Sequence, residues 1–423
     1  MRLRVAGLLV IAAPALGCAG TSTRHDTATA ASPAPAVHTD PRALEAAVHA
    51  LARDAASIRG LAFVRDVPVA IESPEQIVRH VHDELADEHD EIEMERKIGV
   101  AMGVLPPDID LTDALAQFIG TEAQGYYDPG TARLVVSEHD ASLIAAPGPA
   151  GLDARATVVH ELVHALQHQH FEARVDDDDA RTPSLSDGAR ARLALLEGDA
   201  TLVAMEWTHR RRGGRLLGAD DMERRVARWA ENAQVLTEAN VPPYLVESAE
   251  MPYEAGVIAV ASWYRAGGFT RVDSLIADPH VTAAVVLHPE RGASASPSEP
   301  AVEPITDDAL AARGYRVTAD RTLGEMELRL QLGRVMRSEP AAQLAAGWRA
   351  DRFALFEHEG SLAMRWVIAC DTASSARAIA DAFAPLLARW TREGCPGLAG
   401  GAPGRCRASV TVSDARVTVT RGG

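Results

Sequence analysis

Two histidines four residues apart, within an otherwise aliphatic segment, constrain this chain more than any other feature. Residues 157–166 read Thr-Val-Val-His-Glu-Leu-Val-His-Ala-Leu and contain no helix breaker. In an α-helix this separation brings His160 and His164 to nearly the same face, one turn apart. The aliphatic neighbours predict a buried helix, and buried imidazoles need partners. Two neutral imidazoles at this separation can bind one zinc ion.

Acidic residues on the same helix and on a later one can complete such a site. Glu161 lies to the side of the histidine face, where it can accept a proton from water at the metal. A catalytic zinc needs a third protein ligand while one position stays open for water. Residues 193–203 form a second strongly apolar helix pattern with only two acids, Glu197 and Asp199. A divalent cation would remove the cost of burying such a carboxylate.

The whole pattern, His-Glu-x-x-His followed some tens of residues later by glutamate in an apolar helix, resembles the gluzincin metallopeptidases. The resemblance extends over residues 125–199. It implies that His160, His164 and Glu197 bind Zn²⁺, that Glu161 is the general base, and that the substrate is a peptide or protein. It also implies that the strand predicted at residues 133–136 pairs with an extended substrate through its backbone.

Further polar residues near these segments are candidates for supporting roles. Gln167 and Asp199 are candidates to orient the metal-binding imidazoles, which usually need an acceptor on their second ring nitrogen. His168 and His170 continue the histidine helix, and we expect both at the surface. The resemblance further implies a residue that stabilises the oxyanion.

The candidates for this oxyanion-stabilising role are His288, Tyr253 and Tyr244, and no spacing rule selects among them.

The length of 423 residues and the distribution of Gly, Pro and Ser predict more than one domain. We expect a signal peptide at residues 1–18, a flexible tether at 19–40, a catalytic domain at 41–290, a linker at 291–305 and a further domain at 306–423. The predicted fold class is α+β. It comprises a mostly helical zincin-like domain with a small edge sheet, followed by a smaller α+β domain.

Three local predictions allow this organisation to be checked. We predict a turn at residues 125–130 because it contains Asp-Pro-Gly, one helix at 374–390, and a hairpin formed by 408–412 and 416–420.

The N-terminal residues resemble an export signal. Arg2 and Arg4 precede an apolar segment that is too short to span a bilayer. Residues 15–18, Ala-Leu-Gly-Cys, resemble a lipobox, which implies cleavage before Cys18 and a lipid on its sulfur. We therefore expect an exported protein, anchored by lipid to the bacterial cell envelope, and Ala19 favours the outer membrane facing the periplasm. The alternative is an ordinary secretory signal with a chance cysteine.

Charge and composition narrow the possible partners. The formal net charge of −17 repels phosphate backbones, so we expect no nucleic-acid partner. An aromatic content of 4% argues against aromatic platforms for bases or sugars.

Taken together, the sequence predicts a zinc metallopeptidase. The alternative is a non-catalytic lipoprotein in which zinc serves structure or binding.

Overall fold

The computed structural model describes residues 40–122, 125–146, 148–175, 186–232, 241–291, 302–395, 397–398 and 407–423. The predicted signal peptide, its Cys18 and nearly all of the tether lie outside the described residues, so export and lipidation stay predictions. Most of the predicted linker at 291–305 also lies outside them. Within the described part, no helix has the length and apolarity needed to cross a membrane.

The N-terminal part is built mainly from helices. Among the longest, the seventh helix packs against both the sixth and the ninth. The helices are α1 (Pro41–Arg59), α2 (Pro74–Asp87), α3 (His89–Met102), α4 (Leu111–Glu122), α5 (Glu138–Ala145), α6 (Leu152–Val175), α7 (Asp187–Arg211), α8 (Met222–Asn232), α9 (Pro243–Ile276) and α10 (Ala283–Leu287).

Local sequence signals explain several of these helix ends. Asp40 accepts a hydrogen bond from the backbone N–H of Arg42 and caps α1, and Ser73 forms a capping box with Gln76 at the start of α2. Helix α9 is kinked at Gly267 and Gly268, where φ of Gly268 is +66°, a conformation that favours glycine.

A small sheet lies in the N-terminal part. Its strands are β1 (Val69–Glu72), β2 (Gly125–Asp128) and β3 (Arg133–Ser137), in the order β1-β3-β2. Strand β3 is parallel to β1 and antiparallel to β2. The β2–β3 turn is closed by the Asp128 carboxylate, which accepts hydrogen bonds from the Gly130 backbone and the Thr131 hydroxyl.

The C-terminal part is an antiparallel sheet covered by helices. Strand order is β4-β5-β6-β8-β7. The elements are α11 (Asp308–Ala311), β4 (Arg316–Arg321), α12 (Gly324–Gly333), α13 (Ser338–Ala345), β5 (Trp348–His358), β6 (Ser361–Cys370), α14 (Ala373–Ala382), α15 (Ala384–Glu393), β7 (Ala408–Ser413) and β8 (Arg416–Arg421).

The division into two hydrophobic cores differs from the division of the chain into an N-terminal and a C-terminal part. One core is formed by α1, α5, α6, α7, α8 and α10, by the middle and the C-terminal end of α9, and by residues of β2 and β3. The other combines α2, α3 and α4 of the N-terminal part with the C-terminal sheet. The two parts are therefore packed into one structure, and α2–α4 are their shared layer.

The predicted fold class is confirmed as a mixed α+β structure, helical in its N-terminal part and with a sheet in its C-terminal part. The predicted terminal hairpin is confirmed as β7 and β8. Two local predictions were wrong. Residues 125–128 form β2, because Tyr126 and Tyr127 favour a strand and the turn begins only at Pro129. The single helix predicted at 374–390 is two helices, which break before Pro385.

Candidate metal centre

The two histidines of α6 face the same point in the interior. Their Nε2 atoms are 2.9 Å apart, and their rings are in edge-to-face contact. The neighbouring aliphatic residues on the other faces, such as Val159, Leu162 and Val163, have no exposed surface. They fix the helix between α1, α7 and β2, so the side chains of His160 and His164 are directed by packing.

Helix α7 brings the predicted third group to the same point. The Oε2 atom of Glu197 lies 3.1 Å from Nε2 of His160 and 3.5 Å from Nε2 of His164. Ligands at 2.0–2.1 Å from a tetrahedral zinc ion lie about 3.3 Å apart. The three distances between the candidate ligand atoms, 2.9, 3.1 and 3.5 Å, bracket that separation.

Two glycines allow α7 to lie where it does. A Cβ atom on Gly198 would overlap the backbone of Gly256 on α9, and a Cβ atom on Gly256 would overlap the carbonyl group of Ala194 on α7. Helices α7 and α9 therefore cross in backbone contact beside Glu197. This crossing places the carboxylate of α7 and the aromatic ring of Tyr253 on α9 around the histidine pair.

The pKa values of His160, His164 and Glu197 are set by their burial and by their charges on one another. Burial lowers the pKa of His160. Burial also opposes charge on His164, but the negative charge of Glu197 and its hydrogen bond outweigh this effect and raise the pKa of His164 to about 9. For Glu197 the cost of burial is outweighed by the charge of His164 and the hydrogen bonds from both histidines, so its pKa is lowered. Glu197 is thus ionised and attracts positive charge.

A metal ion fits this set of donors. Among the described residues, His160, His164 and Glu197 form the one group of His, Cys, Asp or Glu side chains whose ligand atoms all lie within 4.8 Å of one another. The second carboxylate oxygen of Glu197 is buried and has no hydrogen-bond partner, and an orphaned acceptor of this kind is costly without a cation. The centre can therefore hold a metal ion, as the sequence predicted.

Glu161 lies next to this group and is almost fully buried. Its Oε2 atom accepts a hydrogen bond of 2.9 Å from the backbone N–H of Tyr127 on β2. Burial raises the pKa of Glu161 to about 8, while the positive charge of His164 lowers it and the charge of Glu197 raises it. Glu161 therefore needs nearby positive charge to be ionised at neutral pH.

Tyr127 and His168 were not assigned to the site from the sequence. The Tyr127 hydroxyl lies 2.8 Å from Nδ1 of His168, and His168 is only 7% exposed. The prediction that His168 lies at the surface was wrong, because β2 covers that side of α6. His170, two residues further along, is exposed as predicted, and its Nε2 atom lies 2.7 Å from the carbonyl oxygen of Ala62.

Gln167, one of the two residues predicted to have a supporting role, lies next to His164, and Asp199, the other, lies next to Gln167. The Oε1 atom of Gln167 lies 2.8 Å from Nδ1 of His164. The Nε2 group of Gln167 donates to Oδ2 of Asp199 at 3.0 Å and to the carbonyl oxygen of Leu196 at 2.9 Å. Gln167 thus contacts the candidate ligand His164 directly, and Asp199 is joined to His164 through Gln167.

Arg59 at the end of α1 was missed by sequence reasoning. It has no exposed side-chain surface and forms an ion pair with Asp199. A signal for its burial existed, because position 59 continues the apolar face of α1. The buried residues along that face are Leu44, Val48, Leu51, Ala55 and Arg59, at helical spacings of three and four.

The three candidates for stabilising an oxyanion lie in different surroundings. Tyr253 is buried beside the centre, with its ring nearly parallel to that of His160 and the ring centroids 6.4 Å apart. His288 instead lies 3.0 Å from Glu325 on α12, and the Tyr244 hydroxyl donates to Glu327 on the same helix. Of the three candidates, Tyr253 is the one that lies beside the histidine pair.

The substrate-pairing strand expected at residues 133–136 is the central strand of its sheet. Strand β3 has β1 on one side and β2 on the other, so its backbone is already paired. That expectation was wrong because the sequence did not reveal β2. Strand β2 is the edge strand that contacts α6, and its Tyr127 N–H points to Glu161.

Comparison with known proteins bears on the C-terminal part alone. A family model described as "Domain of unknown function (DUF8575)" matches residues 313–423. This segment begins just after α11 and contains none of the residues of the metal centre. No curated protein and no solved structure matches the chain.

Proposed function

We propose that the protein is a zinc-dependent peptidase that hydrolyses peptide bonds of an extended peptide or protein. The observation that carries the proposal is the convergence of two imidazole nitrogens and one carboxylate oxygen within 3.5 Å of one another, beside a second buried carboxylate. Zinc fits two histidines and one glutamate as ligands.

The number of ligands favours a catalytic over a structural zinc. Structural zinc sites are normally closed by four protein ligands, whereas catalytic sites have three and an open position. Across the described part of the chain, three such ligands converge here. The burial of the ligands, with 0%, 8% and 0% of the side chains of His160, His164 and Glu197 exposed, is the observation that favours the non-catalytic alternative.

Each residue then has a defined task. When bound, zinc supplies a Lewis acid that polarises the scissile carbonyl and lowers the pKa of a water molecule. Glu161 accepts a proton from the attacking water and passes it to the leaving amine. The Tyr127 N–H holds one oxygen of that carboxylate in place. Tyr253, next to His160, is the residue we assign to the developing oxyanion.

The test is the substitution Glu161→Gln in the full-length protein. Glutamine keeps the size of the side chain and the hydrogen bond from Tyr127 but cannot accept the water proton. We expect zinc content to be unchanged, and hydrolysis of a quenched fluorescent peptide library to fall by about 10²–10⁴-fold. Zinc is measured by mass spectrometry of the purified protein.

The matched control is Glu138→Gln, the same chemical change at an exposed residue of α5. We expect full activity and full zinc content there. Undiminished hydrolysis by the Glu161→Gln protein would refute the proposal, and zinc without hydrolysis in the parent protein would favour the non-catalytic alternative.

A further inference from the structure

Arg59 is bound by three partners in the interior. Its Nε atom donates to Asp199 Oδ2 at 2.9 Å, and its terminal nitrogen pairs with Asp273 on the distal part of α9. The guanidinium also stacks over the ring of Phe269, 4.5 Å from the ring centre. One side chain therefore joins the C-terminal end of α1 to α7 and to the part of α9 beyond its kink.

The ion pair is connected to the metal centre by a chain of directed hydrogen bonds. Asp199 can only accept, and it accepts from both Arg59 and the Gln167 amide. The Leu196 carbonyl oxygen also accepts from that amide, so both amide protons of Gln167 are directed away from His164. The oxygen of the same amide must then face Nδ1 of His164.

This order of donors and acceptors fixes the state of the ligand. Because the Gln167 oxygen can only accept, Nδ1 of His164 carries a proton and donates it. In the neutral imidazole the lone pair is then on Nε2, the atom that points to His160 and Glu197. Orientation of a metal-binding histidine by such outer partners commonly changes metal affinity by about 10–100-fold.

We propose that Arg59 is a positioning residue for the metal centre, acting on His164 through Asp199 and Gln167. Helix α1 is then part of the centre although it contributes no ligand. The inference rests on the proposed function only in requiring that the centre binds zinc, and it does not depend on hydrolysis.

The test is the zinc dissociation constant of Arg59→Lys in the full-length protein, measured by competition with a chromophoric chelator. Lysine keeps the charge, but its single ammonium group cannot hold Asp199 and Asp273 in the fixed geometry of a guanidinium. We expect zinc binding to weaken by about tenfold. Thermal unfolding and circular dichroism confirm that the variant is folded.

The matched control is Arg190→Lys. Arg190 is an equally buried arginine on α7 that pairs with Glu327, away from the ligands. We expect it to lose stability and to keep its affinity for zinc. An equal loss of affinity in both variants would show a general effect of core destabilisation and overturn the proposal.

A double variant separates a positioning role from a structural one. Gln167→Met removes the link between Asp199 and His164, and we expect zinc to bind about 10–100-fold more weakly. Once that link is gone, adding Arg59→Lys should change the affinity no further, because Arg59 no longer reaches the ligand. Independent effects that multiply in the double variant would contradict the proposal, as would unchanged affinity in Arg59→Lys alone.

If Arg59→Lys does not fold, Asp273→Asn takes its place in the same comparison. Asp273 is 32% exposed and holds Arg59 from the side opposite Asp199. We expect zinc binding to weaken by less than the roughly tenfold effect of Arg59→Lys, and this weakening also disappears in the Gln167→Met background. If neither the parent nor any variant hydrolyses peptides, but the zinc affinities change as predicted, the proposed peptidase function is refuted and the positioning role of Arg59 is supported.

Discussion

Helix α7 contributes to two buried polar clusters that differ in how far the protein satisfies them. Glu197 belongs to the metal centre with His160 and His164. Arg190 and Asp187, which lie seven and ten residues before Glu197 and so about 10 and 15 Å along the helix, belong to a cluster at the contact with α12 of the C-terminal part. We call the second group, which consists of Asp187, Arg190, Glu327 and Asp351 with their hydrogen-bond partners, the interface cluster.

The interface cluster is saturated by protein partners. Glu327 accepts from Arg190 at 2.9 Å, from the Tyr244 hydroxyl at 2.9 Å and from Gln331 at 2.7 Å. Asp351 accepts four hydrogen bonds. They come from the backbone of Leu323 and Gly324 and from the indoles of Trp348 and Trp366.

In the metal centre, by contrast, the protein does not supply a hydrogen-bond partner for every buried polar atom. Oε1 of Glu197 and Nδ1 of His160 are buried and have no hydrogen-bond partner in the protein. Burial and charge are thus common to both clusters. What distinguishes a candidate site is that ligand atoms converge while some of their hydrogen-bonding capacity is left open to a group from outside.

The largest expected effect concerns the saturated cluster. In Glu327→Gln the buried Arg190 keeps a hydrogen-bond acceptor but loses its counter-charge. We expect a loss of about 3–5 kcal/mol in the free energy of unfolding, measured by urea denaturation, and unchanged zinc affinity. A clear loss of zinc binding in the folded variant would show that the two clusters are coupled.

The next effect concerns the metal centre. Glu197→Gln removes one ligand, and we expect zinc binding to weaken by about 3 kcal/mol, or roughly 100- to 1,000-fold. Without zinc the variant should also be less stable than the parent at neutral pH, because the Glu197 carboxylate that raises the pKa of buried His164 is gone. Calorimetric titration with zinc measures the first quantity. Parent-like zinc affinity would remove Glu197 from the ligand set.

The smallest effect concerns pH at the interface cluster. Burial raises the pKa of Asp187 to about 7, and the charges of Asp351 and Glu325 add to this. The folded protein therefore favours the neutral acid. This group contributes stability that is fully present below its unfolded pKa of about 3.8 and is lost as the pH rises through 7.

Asparagine does not ionise, so the substitution Asp187→Asn should remove this loss of stability with rising pH. The free energy of unfolding of the variant, minus that of the parent, should rise by about 2 kcal/mol between pH 5 and pH 6.5, which lies between the unfolded and the folded pKa. Urea denaturation at several pH values measures it. A difference that stays flat over this range would mean that Asp187 is ionised in the folded protein throughout.

Much of the candidate site could be predicted from the sequence because it depends on residues that are close together in the chain. The spacing of His160 and His164 and the apolar context of both metal-centre helices follow from the helical period, which depends on neighbouring residues alone. The same reasoning identified Gln167, one turn from a ligand on the same helix, and the terminal hairpin. It failed at β2, where two adjacent tyrosines outweighed the turn signal that follows them.

The sequence by itself therefore determined which helix faces carry the candidate metal ligands and that the chain combines a helical part with a sheet. Only the tertiary structure decided which faces meet. The crossing at Gly198 and Gly256, the burial of His168 under β2, and the connection of Arg59 to His164 join segments far apart in the chain. Such contacts depend on how side chains fill the space between elements, and no periodicity along a single segment records that.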